Sequence, residues 1–226
     1  MSEQPDIVLY RAIACPYSHR VELVLGAKGL SADKREIDLL QRPGWFMAMA
    51  SSGRIPLLEV DGFVVPFGDR VNEFLDERFP SAVPMLGSTA EARAEARTMI
   101  DWCTGTLGPT YEPALMNVDP VASAALFDRL GPVLAELEAR LGVHPPAPYW
   151  HGEQPGIVDF TYASILLRFV GLERFHKWSM PDGCPLVAAW RATLVDDPIV
   201  QAHTDLEGIV DMLAEYRRIF TAALAS

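Results

Sequence analysis

The pattern of the sequence changes at one short proline-containing segment, and this change limits the possible folds more than any other feature. Residues 1–80 alternate between strand-like and helix-like patterns, whereas residues 88–226 carry helical periodicity alone. The segment PSAVPMLG at 80–87 has no periodicity, as expected of a connection between domains. We therefore predict an α/β domain at 1–80, a linker at 81–87 and an all-α domain at 88–226.

The first 80 residues predict the element order β-α-β-loop-β-β-α. Two β-rich runs at 57–60 and 63–65 flank Asp61-Gly62, which is the turn signal of a tight hairpin. A strand, a helix and a second strand open the chain, so the first two strands should be parallel and the last two antiparallel. The other predicted elements are a strand at 7–10, a helix closing at Gly29, a strand at 34–38, a polar loop at 41–54 and a helix reaching Phe79.

The helices of the second half are predicted from their capping signals. Ser88 with Glu91 has the spacing of a capping box, in which a hydroxyl and a carboxylate each bind a backbone N–H at the start of a helix. Asp119-Pro120 indicates another start, with proline at the first helical position. Further helices are expected at 156–169, 185–194 and 204–223, the last with Thr204 and Glu207 at capping-box spacing.

Charge and hydropathy exclude several classes of function. The formal net charge of −11, with no cluster of lysine or arginine, disfavours nucleic acid and anionic lipid surfaces as partners. No uninterrupted apolar run approaches the length of about 18 residues that a membrane helix needs. The N-terminus MSEQPDIVLY lacks the pattern of a secretory signal. We therefore expect a cytoplasmic protein without a membrane or nucleic-acid partner.

The three cysteines, Cys15, Cys103 and Cys184, are too widely spaced for a metal site and cannot form a closed set of disulfides. Cys15 begins the string CPYS in the turn between the first strand and the first helix. Unpaired N–H groups and the helix dipole there favour a nucleophilic thiolate. Since Ser18 stands where a resolving cysteine could stand, Cys15 would form a mixed disulfide with an external thiol. The alternative is a buried, inert cysteine.

Several segments resemble glutathione transferases, in the same order along the chain. They are ACPYSHRVELVLGAKGL, RPGWFMAMASSGRIPLLEVDG and NEFLDERFP, and they are most similar to the cysteine-type omega class. This resemblance implies a thioredoxin-like domain followed by a helical bundle, usually as a homodimer. GIVDFTYASILLRFVGLERF resembles the sixth-helix region of the family, which assigns Asp159 to a structural N-capping box. YSHRV and LDERFP also resemble the stringent starvation proteins.

The resemblance also implies the residues of a glutathione site. Cys15 would face the glutathione sulfur, and Ile55-Pro56, with a cis proline, would pair with the glutathione backbone. The family usually has an acid or amide followed by serine before the third helix, whereas this chain has Phe67-Gly68. Asp69, one place later, is the candidate replacement for the acid. The remaining candidates are Pro16 and Tyr17 beside the sulfur, and Arg42 and Arg54 for the glycine carboxylate, although solvated charge is the plainer interpretation of both arginines.

Three functions remain open from the sequence. The first is an enzyme that uses glutathione as co-substrate and transfers thiols to a small electrophile or disulfide, with an apolar pocket lined by one or two aromatic residues of the first long helix. The second is a non-catalytic adaptor for a protein partner, which Phe67-Gly68 favours. The third is a transferase that uses another thiol. His19 is expected to be a packing residue rather than a proton carrier.

Overall fold

The computed structural model describes residues 5–50, 52–66, 68–81 and 84–224. Within these ranges the chain forms four strands and eleven α-helices, and none of these helices is long and apolar enough to cross a membrane. In chain order they are β1 Ile7–Arg11, α1 Pro16–Ala27, β2 Asp33–Glu36, α2 Gly44–Met49, β3 Leu57–Val60, β4 Phe63–Pro66, α3 Gly68–Arg78, α4 Ala90–Trp102, α5 Gly108–Met116, α6 Pro120–Val143, α7 Ile157–Leu166, α8 Phe169–His176, α9 Pro185–Asp196, α10 Pro198–Ala202 and α11 Leu206–Leu224. A π-helical segment, Cys103–Leu107, joins α4 to α5.

The four strands form one mixed sheet in the order β2-β1-β3-β4. β1 pairs with β2 in parallel, and β3 pairs with both β1 and β4 in antiparallel fashion, which confirms the predicted pattern. Asp61 and Gly62 both have positive φ, 50° and 82°, as the tight hairpin turn requires. The fold is therefore thioredoxin-like in the N-terminal half and helical thereafter.

Both faces of the sheet are covered, which explains why Ile7 to Tyr10 are all buried. Ile7 and Leu9 face α1 and α3 in the main core, and Val8 and Tyr10 face a second, smaller cluster that contains Phe46 of α2. The prediction of a loop throughout 41–54 is therefore wrong. Helix α2 is only six residues long, follows Pro43 and begins at Gly44, so helical periodicity could not reveal it.

The C-terminal half consists of packed helices whose boundaries correct several predicted caps. Thr89, rather than Ser88, caps α4 by accepting a hydrogen bond from the Ala92 N–H. Asp205, rather than Thr204, caps the start of α11 through the Gly208 N–H at 2.9 Å. Asp119 does cap α6, as predicted.

One predicted helix is divided in the structure. The helix expected at 156–169 ends as α7 at Leu166, and α8 follows after a break at Leu167 and Arg168. Asp159 binds the Gly156 N–H at 2.9 Å and the Trp150 N–H at 3.0 Å, so its predicted capping role is confirmed. It also accepts a hydrogen bond from the Trp190 indole, which ties the start of α7 to α9.

The segment between the two halves is anchored to both of them. Met85 and Leu86 are buried, and the Met85 carbonyl accepts a hydrogen bond from the Ile157 N–H at 3.0 Å. The Leu86 N–H donates to Asp76 of α3 at 3.1 Å. Residues 82 and 83 lie outside the described residues, and domain boundaries at 80 and 88 remain a prediction.

Candidate active site

Cys15 lies at the N-cap of α1, directly after the loop that leaves β1. Pro16 occupies the first helical position, and the Cys15 N–H donates to the Ala12 carbonyl at 3.0 Å. The thiol is free and partly exposed, whereas Cys103 and Cys184 are both buried. Cys15 is therefore the cysteine that a dissolved substrate can reach, at the position that the sequence predicts.

The pKa of Cys15 differs from the prediction of a thiolate stabilised by position. Burial has the largest effect and raises the pKa of the Cys15 thiol above its ordinary value. Hydrogen bonds from Ser18 and from the Tyr17 N–H, together with the charge of Arg168, act in the opposite direction without overcoming burial. In this structure the thiol form is favoured, and the helix N-terminus offsets only part of the desolvation.

Arg168 is a buried residue of the site that the sequence reasoning missed. Its Nε donates to the Ala14 carbonyl at 3.1 Å and its Nη2 to the Ile13 carbonyl at 3.2 Å, so it holds the two residues that precede Cys15. The side chain is fully buried at the break between α7 and α8. No local signal identifies this arginine, because the two carbonyls that it holds beside Cys15 are more than 150 positions away in the chain.

His19 has a structural role, as expected. The Arg168 guanidinium donates to His19 Nδ1 at 3.0 Å, so Nε2 carries the ring proton and donates to the Thr204 hydroxyl at 2.8 Å. Burial and the nearby positive charge of Arg168 hold the pKa of His19 well below its usual range. The neutral ring links α1 to the connection before α11.

An apolar cavity of about 290 Å³ opens beside Cys15. Its walls come from both halves of the chain: Tyr17 on α1, Tyr111 and Leu115 on α5, and Tyr216 on α11. Tyr111 follows the π-helical segment at the end of the predicted first long helix, so one of the expected aromatic residues does line the cavity. Trp102 does not, because its indole N–H donates to Glu136 on α6.

Among the described residues that line it, the cavity has one carboxylate, that of Glu112. Desolvation raises the pKa of Glu112, although the residue as a whole is exposed. This group is the polar exception in a cavity whose other walls are mostly aliphatic and aromatic, and the sequence offers no pattern that would have identified it.

Tyr17, Pro56 and Gly68, three predicted site residues, lie together. A Cβ atom placed on Gly68 would be 3.5 Å from Tyr17 Cβ and 3.8 Å from Pro56 Cδ. The Ile55-Pro56 peptide bond is cis, and Gly68 is the first residue of α3, where backbone N–H groups have no partner within the helix. Phe67, also a predicted site residue, lies outside the described residues.

Two of the predicted site residues, Tyr17 and Asp69, make structural contacts with their side chains. The Tyr17 ring lies under the Arg20 guanidinium, 4.7 Å from its carbon, and the Tyr17 hydroxyl lies against Gly108 at the start of α5. Asp69, the candidate replacement for the missing acid, forms an ion pair with Arg20 and accepts a hydrogen bond from Thr104 at 3.1 Å. These contacts favour a wall role for Tyr17 and a bracing role for Asp69.

The two candidate arginines flank the loop before β3. Arg42 donates from Nε to the Gly53 carbonyl at 2.8 Å and from Nη1 to the Leu39 carbonyl at 2.9 Å, so it braces this loop. Arg54 is exposed, and its backbone N–H donates to the Ser52 hydroxyl. Among the described residues, no group of three potential ligands is placed to hold a metal ion.

Comparison with known proteins agrees with this fold along most of the chain. Residues 14–78 match the family model described as glutathione S-transferase, N-terminal domain, and residues 120–193 match the corresponding C-terminal domain. Crystallised rice GST1, in complex with glutathione, superposes with a TM-score of 0.83 at 24% identity, over 97% of this chain and 99% of that one.

The proteins similar in sequence include a stringent starvation protein as well as glutathione S-transferases. The stringent starvation protein A homolog of Haemophilus influenzae is 32% identical over 70% of this chain and 73% of its own length. Glutathione S-transferase omega-1 of Sus scrofa is 25% identical over 87% of this chain and 79% of its own. Two other relatives are longer, and this chain spans 63% and 61% of their lengths. The two domain matches together cover more than half of the sequence, and the chain therefore belongs to the glutathione S-transferase family.

Proposed function

We propose that this chain is a glutathione-dependent thiol transferase of omega-like type, in which Cys15 forms a mixed disulfide with glutathione. The observation that carries the proposal is the position of Cys15: a partly exposed thiol at the N-cap of α1, facing an apolar cavity that the two halves of the chain build together. An inert cysteine needs neither solvent access nor a cavity.

The proposed reaction consists of two thiol–disulfide exchanges. The Cys15 thiolate attacks the glutathione sulfur of a mixed disulfide R–S–SG, the S–S bond breaks, and R–S⁻ leaves and takes up a proton. A second glutathione thiolate then attacks the glutathione sulfur of Cys15–S–SG, which releases glutathione disulfide and restores Cys15. Hydrogen bonds from Ser18 stabilise the Cys15 thiolate when it forms and when it leaves.

Glutathione would lie along the cis Ile55-Pro56 dipeptide, with the backbone N–H and C=O of Ile55 pairing with the tripeptide as an added strand. Its γ-glutamyl carboxylate would meet the N–H groups at the start of α3, where Gly68 stands. Arg54, which is exposed on the loop before β3, is the proposed partner of the glycine carboxylate.

The test combines binding and turnover. Glutathione is titrated calorimetrically into wild type and Cys15→Ala, and both are assayed with the mixed disulfide of glutathione and hydroxyethanethiol. Cys184→Ala is the matched control, because that thiol is buried at the start of α9. Binding with turnover that only Cys15→Ala abolishes would support the proposal. The absence of both binding and turnover would refute it.

A non-catalytic adaptor is the second candidate. It is favoured by the 32% identity to a stringent starvation protein A homolog and by Phe67-Gly68 in place of an acid or amide followed by serine. If glutathione fails to bind and a protein partner is recovered, the adaptor replaces the enzyme. Binding of a different thiol with Cys15-dependent turnover would instead identify the third candidate, a transferase with an altered co-substrate.

Oligomeric state and location belong to the same proposal. A homodimer is proposed from the family, and Phe63 on β4 offers an apolar contact, since it is 62% exposed and stacks on Phe74. Light scattering after gel filtration measures the mass directly. Cytoplasmic location stays a prediction, and fractionation of cells that produce the protein tests it.

A further inference from the structure

Glu112 lies in the cavity beside Cys15, and the proposed reaction does not use it. The residue belongs to α5, and no other described residue that lines this cavity is charged at neutral pH. The remaining walls are aliphatic or aromatic. A carboxylate in such surroundings loses hydration, and desolvation does raise the pKa of Glu112. Its presence in the cavity therefore calls for a physical reason.

No group in the described part of the chain compensates the charge of Glu112. The carboxylate forms no ion pair and accepts no hydrogen bond there. By contrast, Glu22 and Asp69, two carboxylates near the Cys15 turn, both pair with arginines. Pairing along the helix is also excluded, because the residues one turn away from Glu112 are uncharged: Gly108, Pro109, Leu115 and Met116. The carboxylate is therefore available to a cation that enters the cavity.

The charges around the cavity leave its open side negative. Arg20 and Arg168, the two arginines near this site, are fully buried and bound to other groups of the protein. Tyr216 lines the cavity from α11, and burial together with the charges of Asp38 and Glu36 raises its pKa. Both of these acidic residues are exposed. The resulting field attracts cations towards the cavity and repels anions.

The aromatic walls favour the same kind of ligand. Four rings line the cavity, those of Tyr17, Tyr111, Tyr216 and Phe220. An aromatic face attracts an ammonium group because the ring quadrupole is negative above the ring, and the Tyr17 ring already holds the Arg20 guanidinium in this way. Tyr216 and Phe220 contact no other ring and no cation among the described residues. A carboxylate beside aromatic faces is an arrangement suited to an ammonium group.

We propose that the Cys15 cavity binds the cationic end of its co-substrate, an ammonium group held by Glu112 and the aromatic walls. The inference rests on the proposed function and specifies its substrate class, the mixed disulfide of glutathione with an aminothiol. The Cys15 thiolate attacks the glutathione sulfur, the S–S bond breaks, and the aminothiol leaves as a thiolate that takes up a proton. Glu112 determines specificity and takes no part in the exchange itself.

The charge preference is measured with three mixed disulfides of glutathione, those of cysteamine, hydroxyethanethiol and mercaptopropionate. Each kcat/KM is divided by the rate constant of the same disulfide with free glutathione, which removes differences in intrinsic reactivity. Wild type should prefer the cationic disulfide to the neutral one about fivefold or more, and the anionic one should be the poorest substrate. Glu112→Gln should lower this preference about threefold to fivefold, through KM rather than kcat, because the carboxylate contacts the substrate away from the reacting sulfurs.

Asp128→Asn is the matched control. It removes the same charge from an exposed position on α6 that does not line the cavity, and it should keep the preference of wild type. A thermal melt of each variant shows that it has folded.

Benzylammonium separates this inference from the reaction, because it contains no disulfide. In calorimetric titrations without glutathione, wild type should bind benzylammonium more tightly than benzyl alcohol or benzoate, and Glu112→Gln should weaken it about threefold or more. If this binding is observed but no disulfide is turned over, the proposed function fails and the cation site stands. If the disulfides are turned over without a charge preference that depends on Glu112, or benzylammonium binds no better than benzyl alcohol, the inference is overturned and the proposed function stands or falls by its own test.

Discussion

Replacing Gly68 by serine should restore a glutathione contact that this chain lacks. Gly68 is the first residue of α3 and is buried beside Tyr17 and Pro56. A serine there would place a hydroxyl next to the first N–H groups of α3, which have no partner within the helix and where a γ-glutamyl carboxylate is expected. The native residue leaves that carboxylate with backbone donors alone.

The structure has room for the added side chain. The new Cβ would lie 3.5 Å from Tyr17 Cβ, 3.7 Å from Tyr17 Cδ1 and 3.8 Å from Pro56 Cδ, all ordinary van der Waals distances. The backbone of Gly68 is also outside the left-handed region, so a side chain adds no strain. One hydrogen bond to a charged group contributes about 1.5–3 kcal/mol, and Gly68→Ser should therefore bind glutathione about tenfold to a hundredfold more tightly.

The assay is a calorimetric titration of glutathione into wild type, Gly68→Ser and Gly68→Ala. Alanine adds the same Cβ without the hydroxyl, so the difference in glutathione affinity between the two variants isolates the hydrogen bond. If serine and alanine bind glutathione equally well, the carboxylate does not lie at the start of α3. The proposed orientation of glutathione would then be wrong, even if turnover at Cys15 were retained.

Three further predictions concern thiol reactivity and stability. The rate of alkylation of Cys15 by iodoacetamide should keep rising with pH beyond about 8.5, since burial raises the pKa of this thiol; a rate that is constant from neutral pH upward would contradict the assignment. Arg168→Met should lower the free energy of unfolding in urea by about 3–5 kcal/mol, because the carbonyls of Ala14 and Ile13 lose their donor. The exposed control Arg218→Met should change the free energy of unfolding by less than about 0.5 kcal/mol. The free energy of unfolding should fall as the pH drops below about 6.5, because His19 binds a proton in the unfolded chain but stays neutral in the folded one. His19→Gln should therefore reduce the dependence of the unfolding free energy on pH. Equal pH dependence in wild type and variant, measured by urea unfolding across this range, would disprove the prediction.

Local pattern was sufficient for most of the sheet and for some helix starts. Asp61 and Gly62 are residue types that adopt positive φ readily, and both do so here, so the hairpin follows from two residues. Asp119 caps α6 because its carboxylate binds the Val121 N–H within one turn. At Ser88 and Thr204 the same reasoning failed, since neighbouring residues, Thr89 and Asp205, offer equivalent caps and packing decides between them.

The candidate site was predictable where its residues are close in the chain. The turn that holds Cys15 is short, and its place between a strand and a helix is visible in the sequence. The raised pKa of the thiol was not predictable, because it follows from desolvation in the folded protein, which the local sequence does not specify. Arg168 contacts the site from the break between α7 and α8, and Glu112 contacts it from α5. No spacing within the first 80 residues indicates either residue.

The position of Cys15 depends on the helical half of the chain as much as on its own turn. Arg168 supplies hydrogen bonds to the carbonyls of Ile13 and Ala14, which accept none from the described residues of the sheet domain. Helix α1 packs against α7 as well as against α3, so the thiol sits at the contact between the two halves. The cavity beside it has walls from both of them. Because the turn alone supplies no donor for the buried Ala14 carbonyl or the partly buried Ile13 carbonyl, the geometry of Cys15 depends on the packing of the two halves as well as on the CPYS sequence.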